Sequence, residues 1–263
     1  EVGHYKIQNP DYLINEEARH YIKDLESVKA YLDTAKHVGS YTMRSKIMAV
    51  ASTARGTSGI MLKGIDVLKE KEVSALYTKI LPNTGNYFET KSKLPPVLIS
   101  NKTAELLKIK NYRITNESID SLKSLDVPNE LISKVDSLIG KRFITKKKFE
   151  KAIRLVWDES EVETYGYALI KVAAYFQPRA RVTFTFTKTN GQIGYQTYQV
   201  CGVYKSGNGI FDQMSAFVKN TDLHPAVGLS TDQVHEISVV LNEDSYDLTT
   251  EVNNIIKQLP NQN

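Results

Sequence analysis

Cysteine is almost absent from this sequence, because Cys201 is the only one among 263 residues. A single cysteine excludes an internal disulfide and gives no information about the redox compartment. Cys201 follows Val200 in a segment with the apolar alternation of a β-strand, where a cysteine usually serves as a small buried hydrophobic residue. We therefore predict a structural role for Cys201.

Long hydrophobic runs are missing as well. No window approaches the roughly 18 consecutive apolar residues that a membrane-spanning helix needs. The first residues, Glu-Val-Gly-His-Tyr, contain neither an initiator methionine nor the apolar core of a signal peptide. We expect the chain to be an excised piece of a longer protein.

Neither sign of charge dominates the sequence. The 34 basic and 30 acidic residues leave a net charge of +4, which neither demands a nucleic acid partner nor excludes an anionic surface. No stripe of arginine or lysine accompanies the aromatic positions, so we predict no nucleic acid partner. The composition, 41% hydrophobic and 24% charged, is that of an ordinary globular protein, long enough for one large or two modest domains.

Sequence motifs for enzyme chemistry are not found. There is no G-x-x-x-x-G-K-[ST] loop, so we expect no ATP hydrolysis, and Gly207-Asn208-Gly209 is interpreted as a turn. A G-x-S-x-G motif is missing, and the histidines lack metal-binding spacing; they are His4, His20, His37, His224 and His235. The sequence predicts no catalytic residue, no cofactor and no metal. A hydrolase that brings Ser, His and Asp together only by folding stays an alternative.

The longest alternating stretch runs from Arg181 to Ser215 and predicts a β-hairpin. A two-residue loop at Asn190-Gly191 would place Phe184 opposite Thr197, so that apolar and polar side chains share a face. A three-residue turn, Thr189 to Gly191 with Gly191 left-handed, instead pairs Val182 with Tyr198. We predict the three-residue turn.

Apolar spacing elsewhere predicts further strands and helices. In chain order these are a strand at Tyr5–Gln8, a helix over 15–32 capped by Asn15, paired strands at Val38–Val50 and Ile60–Ile65, a helix through Val73 and Ile80, a strand at Val97–Ile99 that enters a helix near Asn101, three helices between 109 and 178, strands at Ser215–Val218 and His235–Leu241, and a helix bearing Leu248, Val252, Ile255, Ile256 and Leu259.

The second hairpin strand leads into a recognisable segment. Residues 198–207, Tyr-Gln-Val-Cys-Gly-Val-Tyr-Lys-Ser-Gly, followed by Phe211-Asp212, resemble the "f-x-V-x-G-i-f/y-x-x-G, then f-D" segment in the extracytoplasmic domain of MacB/FtsX-like ABC-transporter permeases, most of all the lipoprotein-releasing LolC/LolE branch. Two more stretches follow the family's order: Ile60–Asp66 with Glu70, and Pro96–Ser100 leading into Thr103–Leu107.

The resemblance implies an α+β fold in which both chain ends form one subdomain. Residues 1–57 and 234–263 would make a porter-like subdomain, with the first and last helices packed on one small sheet. Residues 58–233 would make an inserted sabre-like mixed α/β subdomain. A helical insert at about 109–178 departs from typical members, which pass directly to the hairpin.

The resemblance also implies a function. The chain would be the soluble extracytoplasmic domain of a multi-pass permease, on the periplasmic side of the inner membrane, and not itself an enzyme. It would couple ATP hydrolysis on a separate cytoplasmic subunit to release or export of a lipidated or hydrophobic cargo. Its partners would be a second permease subunit, as homodimer or heterodimer, that ATPase, and a lipoprotein or periplasmic carrier. A MacB-like efflux permease domain, or a free-standing secreted binding or hydrolase domain, is the alternative.

Two groups of residues are candidates for contact with a partner. Loop residues on a rigid scaffold often serve recognition, and the hairpin tip offers Thr189, Asn190, Gln192 and Ile193. LolC-like relatives carry a long, proline-bearing loop here that hooks the carrier, whereas the loop from Lys188 to Gly194 is short and has no proline. The densest basic cluster, a candidate for anionic lipid or an acidic partner, includes Lys146, Lys147, Lys148, Lys151 and Arg154.

Overall fold

Residues 3–89, 91–177 and 179–242 are described by the computed structural model. Their contacts divide the chain into two units: the smaller is Ala104–Ala180, and the larger is the chain on either side of it. Both helices and strands are present, so the fold is mixed α/β, as the sequence indicates at this coarse level. The porter-like and sabre-like boundaries stay a prediction.

The strands and helices occur in the following order. The strands are β1 (Tyr5–Gln8), β2 (Val38–Ser52), β3 (Thr57–Ile65), β4 (Pro96–Ser100), β5 (Lys110–Tyr112), β6 (Ala174–Phe176), β7 (Arg181–Thr187), β8 (Ile193–Tyr204), β9 (Ser215–Lys219) and β10 (Glu236–Leu241). The helices are α1 (Pro10–Ile14), α2 (Leu25–Thr34), α3 (Lys69–Val73), α4 (Asn101–Leu106), α5 (Asn116–Lys123), α6 (Asn129–Lys134), α7 (Lys146–Ile153), α8 (Glu159–Ala173), α9 (Gly209–Met214) and α10 (Asn220–Val227), with 3₁₀ turns at Leu76–Lys79 and Asp136–Leu138.

One sheet organises the larger unit. Its strand order is β1-β10-β2-β3-β9-β4-β8-β7, and β7 pairs back onto β2, from Ala49↔Phe186 to Ser52↔Thr183. The strands from β2 to β7 in this order therefore close into a ring, which removes their free edges. Closure is possible because β2 is 15 residues long and pairs with β10 near its start and with β7 near its end.

The predicted hairpin is confirmed in its register. Val182 pairs with Tyr198 and Phe184 with Gln196, and the Lys188 N–H donates to the Gln192 carbonyl at 2.8 Å. The turn between them has three residues, and Gly191 adopts φ +80°. The other predicted hairpin, β2 with β3, is confirmed as well, with antiparallel pairing from Arg44↔Ile65 to Ser52↔Thr57.

The helix predicted over 15–32 is wrong in its first half. Asn15 ends α1 instead of capping a helix, and α2 begins only at Leu25, after Asp24 with φ +51°. Long-range hydrogen bonds hold the chain between the helices: Ile22 N–H donates to the Val234 carbonyl at 2.8 Å, and Ala18 O lies 3.0 Å from His235 Nε2. These tertiary contacts override the local helical spacing.

Apolar packing joins α2 to β10 and the residues before it. Ile22, Leu25, Val28 and Leu32 pack with Val234, Ile237 and Val239 in one buried cluster. Strands β1 and β10 pair antiparallel, with Tyr5 opposite Val239, so the start of β1 lies beside the end of β10. The predicted last helix, through Leu259, lies outside the described residues.

The smaller unit has its own hydrophobic core. Helices α5 to α8 enclose Leu122, Phe149, Trp157 and Leu169 among other buried residues, and Thr145 caps α7 as predicted, by accepting from Lys148 N–H. The sequence analysis missed the two-stranded sheet of β5 and β6. Strands of three residues are too short to show alternation.

Candidate interaction surface

The hairpin tip is tied to its surroundings at Thr189. Its N–H donates to the Val227 carbonyl at 3.0 Å, and its Oγ1 donates to the Gly228 carbonyl at 2.9 Å, so the tip is anchored at the C-terminal end of α10. Asn190 and Gln192 bond to each other, the Gln192 N–H donating to Asn190 Oδ1 at 3.0 Å. Three of the four predicted contact residues therefore shape the turn itself.

Ile193 differs from these three because it is 78% exposed and apolar. The register extends this apolar surface across the neighbouring strands: Val50 pairs with Thr185, which pairs with Tyr195. Tyr195 is 77% exposed, Val50 50% and Met48 43%. We call Met48, Val50, Ile193 and Tyr195 the outer apolar patch. A patch of exposed apolar side chains on one sheet face is typical of an interaction site.

The predicted basic residues lie on α7 and at its end, in the smaller unit. All five are exposed, while Phe149 and Ile153 on the same stretch are buried. Lys146 pairs with Glu150 at 3.3 Å and Arg154 with Glu159 at 3.1 Å. These acids reduce the net positive charge of the surface, which is the arrangement of a solvated helix face.

Sequence reasoning missed a buried ionic cluster in the larger unit. Arg44, 3% exposed, donates to both carboxylate oxygens of Glu70 at 3.0 and 2.7 Å and to Glu236 at 3.0 Å. Lys46 lies 3.1 Å from the second oxygen of Glu236. Burial opposes ionisation of Glu236, but Lys46, Lys6 and Arg44 outweigh it and lower the pKa of this carboxyl. Arg44 and Lys46, two residues apart on the predicted strand, were the sequence signal from which a charged cluster on one sheet face could have been predicted.

The three stretches that resemble the permease family each contribute a strand to this unit. They contain β3, β4 and β8, and the sheet order places β9 between β3 and β4, with β8 beside β4. Asp212 O accepts from Ser100 Oγ, and its carboxylate accepts from the Ser206 N–H at 3.0 Å. A Cβ at Gly202 would lie 2.9 Å from Leu98 and 3.1 Å from the Asn86 carbonyl. The glycine and the Phe-Asp pair of the motif therefore serve close packing around β8.

A serine and a histidine are in contact among the described residues, with Ser45 Oγ 2.7 Å from His224 Nε2. Both residues are buried, at 0% and 5% exposure, and burial lowers the pKa of His224. A catalytic nucleophile has to reach its substrate, so this pair gives the hydrolase alternative no support. Within residues 3–89, 91–177 and 179–242, no group of three or more His, Cys, Asp or Glu side chains is arranged to hold a metal ion.

No family model matches this sequence, and no curated protein does. Among solved structures, the chain is similar to the periplasmic region of MacB from Actinobacillus actinomycetemcomitans, with 9% identity, a TM-score of 0.45 and coverage of 97% of this chain and 83% of that one. It is also similar to the extracellular domain of the noncanonic ABC-type transporter YknZ from Gram-positive bacteria, with 13% identity, a TM-score of 0.44 and coverage of 96% and 89%.

Proposed function

We propose that this chain is the extracytoplasmic domain of a MacB/FtsX-type ABC permease, and that it transmits ATP-driven movement to a lipidated or hydrophobic cargo. The observation that carries the proposal is the convergence of the three family-like stretches. They are far apart in the sequence, yet β3, β4 and β8 belong to one contiguous part of the sheet.

The residues that carry the resemblance also contact one another. Phe211 lies over the Lys63 ammonium, with 4.3 Å from Nζ to the ring centroid, and Ser100 bonds to the Asp212 backbone. An added Cβ at Gly202 would lie 2.9 Å from the Leu98 side chain. Gly202, Phe211 and Asp212 of the motif thus have packing roles in this arrangement, which supports a shared fold.

The first and last strands that the structure describes supply a second, independent support. A domain inserted between two membrane helices needs both of its connections to leave toward the membrane. His4 N–H donates to the Val239 carbonyl at 2.7 Å, and Leu241 N–H donates to His4 Nδ1 at 2.9 Å. The beginning of β1 and the end of β10 are therefore neighbours. Among the described residues, no helix combines the length and apolarity needed to cross a membrane.

In this proposal the chain performs no chemical step. ATP is bound and hydrolysed by a separate cytoplasmic subunit, and closure of that ATPase moves two facing extracytoplasmic domains. The outer apolar patch is the surface that would contact the hydrophobic part of the cargo, since none of its four side chains is charged. Release of a lipoprotein is the specific form that the LolC/LolE-like sequence favours.

Purification of the full-length gene product from membranes of the source cells tests the proposal. We expect the tagged protein, extracted in detergent, to co-purify with a P-loop ATPase in a fixed ratio and to show ATP turnover that vanishes when the ATPase lysine is substituted. An ATPase on the same polypeptide would favour the MacB-like exporter. Recovery from the culture medium or the soluble fraction without any ATPase would contradict the proposal.

A further inference from the structure

A small cavity lies over the sheet face formed by β2, β3 and β9. It has a volume of about 110 Å³ and is bounded by α3, the 3₁₀ turn after it, and α9. Apolar side chains supply much of the wall, among them Leu76, Phe211 and Phe217. Three cations, Arg44, Lys63 and Lys79, also line it. An apolar enclosure with a few convergent charged groups is the usual form of a small-ligand site.

The two carboxylates near this cavity, Glu70 and Glu236, already form ion pairs with Arg44 and Lys46. Glu70, the acidic residue in the cavity wall, accepts from Arg44 through both oxygens and from Ser74 Oγ at 2.7 Å. Behind it, Glu236 accepts from Arg44 at 3.0 Å and from Lys46 at 3.1 Å. Arginine and carboxylate in this forked geometry satisfy each other. Neither carboxylate is left to balance a further positive charge.

Lys63 is a further positive charge in the cavity wall. Its Nζ lies 4.3 Å from the centroid of the Phe211 ring and 5.6 Å from that of Phe217. No aspartate or glutamate within residues 3–89, 91–177 and 179–242 forms an ion pair with it. Two ring faces compensate this partly buried ammonium only in part. Burial, together with Lys46 and Arg44 and against Glu236, lowers the pKa of Lys63 to about 8, so the group is still mainly charged at neutral pH.

We propose that this cavity binds a monocarboxylate with a short apolar tail, its carboxylate against Lys63 Nζ and its tail against Leu76, Phe211 and Phe217. The site goes beyond the proposed transport role and does not depend on it. A monoanion neutralises the Lys63 ammonium, which is less exposed than that of Lys79. A phosphate or sulfate dianion would bring excess charge and a larger desolvation cost into a wall that is mostly apolar. Lys79, exposed at the rim, would steer an anion toward the cavity.

Titration of the purified protein with sodium butyrate tests this site. With ¹³C-labelled lysine, we expect one lysine signal to shift and saturate, at an ionic strength held constant with sodium chloride. Acetate should bind at least tenfold more weakly, because it lacks the tail. Butylammonium, which has the same tail and the opposite charge, should not bind.

Two lysine variants localise the binding. Lys63→Met keeps an unbranched apolar side chain against the rings and should weaken butyrate binding at least tenfold while the protein stays folded. Lys71→Met is the matched control, because Lys71 Nζ also lies over two rings, 5.8 Å from Tyr77 and 5.2 Å from Tyr87, yet Lys71 does not line the cavity. It should change the affinity less than twofold.

Three results would overturn the proposal. These are the lack of a saturable shift with butyrate, equal binding by the wild-type protein and Lys63→Met, and binding of sulfate as tight as that of butyrate. Should Lys63→Met not fold, the comparison of butyrate with acetate and butylammonium on the wild-type protein still decides. Since none of these measurements involves a membrane or an ATPase, failure of the transport proposal would leave their outcome unchanged.

Discussion

His235 is held in one protonation state by its two ring nitrogens. The Lys46 backbone N–H donates to Nδ1 at 3.2 Å, so Nδ1 carries no proton. Nε2 lies 3.0 Å from the Ala18 carbonyl and therefore carries the proton that it donates. A second proton would have to enter at Nδ1, against the Lys46 N–H, in a side chain that is 0% exposed. The folded protein thus selects neutral histidine.

This selection predicts a loss of stability in mild acid. Burial lowers the pKa of His235 from 6.5 to about 4, so between these values the unfolded chain binds a proton that the folded protein does not. Stability is then full above pH 6.5 and falls as the pH drops toward 4. The difference corresponds to about 3 kcal/mol. Below that range, protonation of Glu236, whose pKa is lowered in the fold, removes more.

Urea unfolding at a series of pH values measures this dependence. Replacing the side chain, as in His235→Gln, should flatten the curve between pH 6.5 and 4, because the titrating group is gone while an amide can still donate to Ala18. A variant curve with the wild-type slope would show that another group governs stability in this range. His224, whose pKa is also lowered by burial, would be the next residue to substitute.

Two glycines give a paired test of close packing at single residues. Gly85 adopts φ +127°, and its added Cβ would overlap the Cys201 carbonyl oxygen, whereas a Cβ at Gly59 would meet nothing within 4 Å. Gly85→Ala should therefore cost at least about 3 kcal/mol in the free energy of unfolding, and Gly59→Ala less than about 0.5 kcal/mol. If both substitutions lowered the stability by similar amounts in thermal or urea unfolding, the close contact between Gly85 and the β8 backbone at Cys201 would be contradicted.

At the scale of the element, the hairpin of β7 and β8 has a buried position, Phe184, and an exposed one, Ile193, whose substitutions should have different effects on stability. Phe184 is 0% exposed, and its ring meets that of Tyr198 edge to face at 5.6 Å. Phe184→Ala should cost about 3 to 5 kcal/mol. Ile193→Asp, at the exposed end of β8, should change stability by no more than about 0.5 kcal/mol. Denaturant unfolding checks both values.

A transport assay with the full-length protein measures the functional effect of Ile193→Asp. If the outer apolar patch contacts cargo, Ile193→Asp should fold normally and reduce transport. Normal folding with normal transport would exclude the hairpin tip as the contact, and the basic residues from Lys146 to Arg154 would then be the next candidates.

The sequence predicts those elements whose signals are local. The hairpin register follows from the alternation of Phe184 with its neighbours and from Gly191, which tolerates a positive φ. The helix predicted from Asn15 does not form in its first half, because hydrogen bonds to Val234 and His235 hold that segment in a non-helical conformation. Both partners lie more than 200 residues away in the chain. Periodicity within one segment contains no information about such contacts.

The candidate site likewise has parts that follow from local sequence signals and parts that depend on long-range contacts. Exposure of Ile193 follows from its place beside the turn, and α7 follows from the spacing of Phe149 and Ile153 together with the cap at Thr145. The cavity at Lys63 could not be predicted, since β3, α3 and α9 surround it only after folding. Closure of the sheet through β7 and β2 is another long-range event, because Ala51 and Phe184 pair across more than 130 residues.

At the scale of the whole molecule, each of the two units has a separate hydrophobic core. Trp157, the only tryptophan in the sequence, is 3% exposed in the smaller unit and donates from Nε1 to the Leu131 carbonyl at 2.9 Å. Its fluorescence therefore reports the unfolding of that unit alone. Far-UV circular dichroism follows the helices and strands of both units, so the part of its change that the fluorescence does not follow belongs to the larger unit.

Matched core truncations use these two probes. Phe149→Ala, which empties a 0% exposed position in the smaller unit, should lower the fluorescence midpoint and leave in place the part of the circular dichroism change that belongs to the larger unit. Phe184→Ala should do the reverse. Unfolding then has more than one step, as is common for proteins with separate cores. Coincident transitions, shifted equally by both substitutions, would show a single cooperative unit instead.

A distance measurement in the full-length complex tests most directly whether this chain moves with an ATPase. A spin label at Ile193→Cys is selective within this chain, because Cys201 is its only cysteine and is buried. With a second label on the facing permease subunit, pulsed dipolar spectroscopy would compare the nucleotide-free complex with the complex trapped by ATP and vanadate. We predict that trapping shifts the distance distribution by several ångströms. Identical distributions in a complex that hydrolyses ATP would contradict the account.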